Sequence, residues 1–62
     1  MQLTWIKSAD DLKWYKFKLN RLAEQLVLEI GQDFYVGDQF YEIVAVEFSR
    51  SGRSGTLVLQ SV

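Results

Sequence analysis

From Gln32 to Phe48 the chain reads QDFYVGDQFYEIVAVEF, two runs of alternating character divided by Gly37 and Asp38. A period of two puts successive side chains on opposite sides of a strand, and Gly followed by a polar residue suits the tight turn that joins antiparallel neighbours. A hairpin is expected here, so a sheet is the frame into which the rest must fit. The second run is apolar on both sides, with Phe40, Val44, Val46 and Phe48 on one and Tyr41, Ile43 and Ala45 on the other. Such a strand is expected inside the sheet with both faces covered. SRSGRSG, Ser49 to Gly55, then turns the chain, and TLVLQSV returns as a last strand.

The first half is less constrained. Leu3 and Trp5 alternate with Gln2 and Thr4 until Ile6 breaks the pattern, which predicts a strand from Met1 to Lys7. In SADD, Ser8 can cap a helix, Asp11 stands three residues later, and both aspartates suit the positive end of a helix dipole. KWYKFKL, Lys13 to Leu19, then fits two templates. As a strand it sets Tyr15, Phe17 and Leu19 on one face and Lys16 and Lys18 on the other. As a helix it joins Leu12, Tyr15, Leu19, Leu22, Ala23, Leu26 and Ile30 in one apolar stripe. The helical template includes more residues, NRLAEQ contains neither Gly nor Pro, and Gly31 stands where a left-handed cap would end the helix. The expectation is therefore a helix from Ala9 to Glu29.

The expected fold is α+β, a single domain over residues 1–62: an N-terminal strand, one amphipathic helix, and a three-stranded antiparallel meander. The alternative is an all-β, five-stranded SH3-like small barrel in which KWYKFKL is a strand. VGDQFYEIVAVEF followed by TLVLQSV resembles the strand pairs of small barrels in phage neck and head-closure proteins and in some SH3-like modules. The resemblance spans half the chain, shares the Gly-Asp turn and assigns no role to any residue. It implies one further function, a structural subunit of a phage neck or similar particle.

Chain length matters for what can hold such a fold together. A 62-residue chain is short enough that only roughly 60% of its unfolded surface becomes buried. With no Cys and no His, disulfides and the usual zinc sites are excluded, while 48% of the residues are hydrophobic. Self-association is the remaining way to cover the surplus. The net charge of −1 disfavours nucleic-acid binding through charge alone, but its distribution is uneven. Lys7, Lys13, Lys16, Lys18 and Arg21 face only Asp10 and Asp11 in the first third, whereas Glu24, Glu29, Asp33, Asp38, Glu42 and Glu47 follow without a cation between them. Such a chain suits pairing of the basic part of one copy with the acidic part of another. No apolar run approaches the length of a membrane span, and no charged leader with an apolar core is present, so a cytoplasmic location without membrane contact is expected.

Catalysis is not expected, since His and Cys are absent and no carboxylate spacing matches a metal loop or an acid/base pair; no cofactor or metal is implied. On the expected helix, Trp14, Phe17, Arg21 and Leu28 form a second stripe left uncovered by the sheet. These four are the candidate partner-binding residues of a noncatalytic, homodimeric interaction module of inhibitor or adaptor type, which acts by occupying a surface of another macromolecule. The rival function is binding of single-stranded nucleic acid, with Trp14 and Phe17 stacking on bases and Lys13, Lys16, Lys18, Arg50 and Arg53 as candidate phosphate contacts.

Overall fold

A computed structural model of the chain describes residues 1–19 and 28–62. These contain five strands, β1 (Gln2–Ala9), β2 (Leu12–Lys18), β3 (Asp33–Val36), β4 (Gln39–Phe48) and β5 (Ser54–Ser61), and no helix. They form one antiparallel sheet in the order β1-β2-β5-β4-β3, curled into a half-barrel. The last strand is thus central, between β2 and β4, while β1 and β3 are the two edges. Among the described residues no helix is long and apolar enough to cross a membrane.

The α+β expectation is corrected by β2. Leu12–Lys18 pairs along its whole length with β1 on one side and β5 on the other. The proposed helix cap is instead a hairpin turn. Asp10 has a φ of 54°, a left-handed conformation that Asp tolerates better than most residues, and the chain reverses there from β1 into β2. Residues 20–27, which the expected helix also included, lie outside those described. Gly31 does adopt the positive φ expected of it, at 90°, but in a turn where the Gln32 amide donates to the Glu29 carbonyl at 3.1 Å. That turn needs a positive φ at its third position. It leads into β3 after the Gly31 amide has donated to Ile43, and Ile43 to the Gln32 carbonyl.

The hairpin at Gly37 and Asp38 is present, with Val36 opposite Gln39 and a positive φ of 59° at Gly37. β4 departs from its expected pattern. Its pairing with β5 shifts between Ile43 and Ala45, so one extra residue is accommodated there and the side-chain alternation restarts. Tyr41 and Ile43 before the shift, and Val46 and Phe48 after it, therefore face the same way. The other face carries Glu42, Ala45 and Glu47, all exposed, so β4 is covered on one side only. A similar shift between Trp5 and Lys7 in β1 accounts for the interruption at Ile6.

The inner face of the sheet holds the core: Phe17, Tyr41, Ile43, Leu57 and Leu59, joined by Leu28 from the connection into β3. Ile43, Leu57 and Leu59 are wholly buried, each stabilising by about 1.5–3 kcal/mol relative to an exposed side chain. One row of this face depends on a missing side chain. Phe17, Gly55 and Phe48 are directly opposite one another on β2, β5 and β4, and the two rings meet edge to face at 5.5 Å. A Cβ on Gly55 would collide with the Glu47 carbonyl and lie 2.8 Å from Phe17 Cζ, so the glycine admits the ring.

Candidate functional site

The strand order sorts the charges by position across the sheet. β1 and β2 carry Lys7, Lys13, Lys16 and Lys18 and no carboxylate, whereas β3 and β4 carry Asp33, Glu42 and Glu47 and no cation. Between them β5 has no charged residue. Asp10 and Asp11 lie at the far end of the basic side, in its turn, where the Asp11 carbonyl accepts from the Ser61 amide. The two edges also bear large exposed apolar side chains, Trp5 (59% exposed) on β1 and Tyr35 (67%) on β3.

Period-two geometry sets Trp14, Lys16 and Lys18 on the outer face of β2, and the register gives each of them neighbours. Lys7 of β1 is opposite Trp14, its ammonium 4.8 Å from the ring centroid, and Val58 of β5 is opposite on the other side. At a half-exposed site such a cation–π contact contributes about 0.5–1 kcal/mol. Lys16 lies between Thr4 and Thr56, and Lys18 between Gln2 and Ser54. Each lysine is thus flanked by uncharged hydrogen-bonding side chains, and together they line an open groove of about 410 Å³.

Lys18 and Ser54 also border a second depression of about 510 Å³, with Ser51 and Arg53. Its wall is the β4–β5 turn, held by Ser54 Oγ donating to Ser49 Oγ at 3.0 Å and by the Arg53 amide donating to Ser51 Oγ at 3.2 Å. Among the described residues, no carboxylate lines either depression. Glu47 stands on the outer face one strand further, opposite Thr56, and marks where the basic area ends.

Lys13 belongs to the inner face. Its ammonium donates to the Tyr41 hydroxyl at 2.9 Å and lies 5.3 Å from the centroid of that ring. The hydrogen bond to Tyr41, followed by the charge of Tyr41 when ionised, raises the Lys13 pKa above the ordinary 10.5, against a smaller opposing effect of desolvation.

The three described candidate partner-binding residues do not share one surface. Trp14 is half-buried on the outer face; Phe17, 2% exposed, and Leu28 are core residues; Arg21 lies outside the described residues. The stripe that grouped them required a helix. Of the candidate phosphate contacts, Lys16 and Lys18 share the outer face, Arg53 borders the second depression beside Lys18, Arg50 is exposed in the β4–β5 turn, and Lys13 faces Tyr41. What sequence reasoning missed is Trp14 as a neighbour of Lys16 and Lys18. The signal was available, since 14, 16 and 18 share parity, but only in a strand. Trp5 and Tyr35 were missed as well, because nothing local marks a strand as an edge.

The fold and this surface define a class, a small all-β domain with a charge-divided sheet. No family model, curated protein or solved structure matches the chain. Among the described residues there is no group of three His, Cys, Asp or Glu that could hold a metal ion.

Proposed function

We propose that the chain is a small noncatalytic interaction module that associates with a second copy of itself, the β1 edge of one meeting the β3 edge of the other. The observation that carries this reading is the division of charge across the sheet, which gives the two edge strands opposite sign. Edge strands carry a row of backbone donors and acceptors ready to pair with another strand. Joining β1 to β3 brings cations to carboxylates and covers Trp5 on the inner face, with Tyr35 at the same seam on the outer face, whereas joining β1 to β1 would oppose like charges. Because the sheet is curled, two copies related by a two-fold axis make the contact twice and close into a dimer. The cytoplasm remains the compartment in which this module is expected to act.

Sedimentation equilibrium at low salt and at 1 M salt tests the reading. A dimer is expected at low salt, weakened at 1 M where the screening length falls to about 3 Å, and abolished by Trp5→Ser with Tyr35→Ser while circular dichroism is unchanged. A wild-type chain that stays monomeric at low salt up to millimolar concentration contradicts it.

A further inference from the structure

We propose that the outer face of β2 binds a single strand of nucleic acid, with Lys16, Lys18 and Arg53 on its phosphates and Trp14 under one of its bases. This goes beyond self-association and does not depend on it. Three features favour this ligand over a small anion or a duplex.

First, the cations follow a line. Lys16 and Lys18 are two residues apart on one face, roughly 6.8 Å along the strand, and the line continues to Arg53 through the depression that shares Lys18 and Ser54 with the groove. A lone phosphate would occupy one of these positions; a chain of phosphates occupies all three. Second, among the described residues the track is free of carboxylates and rich in neutral hydrogen-bonding groups, with Thr4 and Thr56 beside Lys16 and Gln2 and Ser54 beside Lys18. Glu47 bounds it on the β4 side. Third, an aromatic ring stands at its upper end on the same face. Trp14 already holds a cation over its ring, Lys7 at 4.8 Å. A base stacked in that place takes over the ring face that Lys7 now covers. Unpaired bases offer such a face, whereas those of a duplex are hidden in their own stack, and a ring beside a cationic track is the combination that single-strand binding uses.

The test is fluorescence anisotropy of an end-labelled oligothymidine of about 12 nucleotides with the intact chain. Three phosphate contacts on a single strand predict that affinity falls about 20-fold between 50 and 200 mM salt, a logarithmic slope of about 2. Lys16→Gln with Lys18→Gln should lower that slope to about 0.7, the value for one remaining contact. Trp14→Ala should weaken binding and leave the slope unchanged. Lys13→Gln, which removes one lysine charge from the opposite face, should leave both unchanged. Circular dichroism of each variant confirms that it is folded. Three results would overturn the proposal: no binding at 50 mM salt, a slope that Lys13→Gln lowers as much as the pair does, or a duplex of the same length bound as tightly as the single strand.

Discussion

The two faces of β2 come from seven consecutive residues and differ in almost every property. Inward, Tyr15 and Phe17 pack against the core, and Phe17 fills the space that Gly55 leaves. Outward, Trp14, Lys16 and Lys18 stand among threonines, a serine and a glutamine, with groove on one side and solvent above. The inner set is held by the surrounding core and tolerates little change; of the outer set only Trp14 is partly covered, by Lys7 and Val58, while Lys16 and Lys18 are more loosely held. In a chain this short, one strand serves both stability and recognition because alternation keeps the two on opposite sides.

That contrast can be broken most forcefully at Phe17. Phe17→Ala removes the ring from a site only 2% exposed and should cost about 3–5 kcal/mol, comparable to the whole stability of a small domain. Urea denaturation should show no folded baseline at 25 °C. Gly55→Ala comes next: the added methyl group meets the Glu47 carbonyl and Phe17 Cζ, an overpacking expected to cost about 1–3 kcal/mol, visible as a lower urea midpoint. Across the strand the effects shrink. Trp14→Ala, at a half-buried position with Val58 beside it, should lower stability by about 1 kcal/mol. Lys16→Gln with Lys18→Gln should stay within about 0.5 kcal/mol per site, so any loss of binding there is separable from folding by the same urea titration.

The smallest effect belongs to pH and to Lys13. Its folded pKa is raised by Tyr41, so the stabilisation is complete below the ordinary lysine value and is lost as pH rises through the folded one. Thermal melts of wild type and Lys13→Met should therefore keep a constant difference at neutral pH and converge in the alkaline range above 10.5. A difference that widens with alkalinity would contradict the contact.

Much of the sheet was legible because its signals are local. Gly37 and Asp38 announce a turn by their own backbone preferences, and the alternation on either side of them needs no distant partner. The segment Lys13–Leu19 is different. Tyr15 and Leu19 satisfy both a helical and an alternating pattern, and the choice was made by β5, some forty residues away, which pairs with β2 along its length. Helix propensity in the chain is a weak prior against two flanking strands. The two-sided apolar pattern of β4 misled for another reason: a single inserted residue moves Val46 and Phe48 to the face of Tyr41 and Ile43, and no residue type marks the insertion. The site was legible in its charges, since cations and carboxylates already fall in separate segments. It was illegible in its geometry, because Trp14 joins Lys16 and Lys18 only once the period is known.

Proton NMR of the folded chain reads that period directly. Cross-strand proximities from Lys16 to Thr4 and Thr56, and from Phe17 to Leu3 and Gly55, are predicted, with Trp14 near Lys7 and Val58. Proximities between residues three apart through Leu12–Lys18, with none to β1 or β5, would return Trp14 and Phe17 to one surface and contradict the separation of core from binding face.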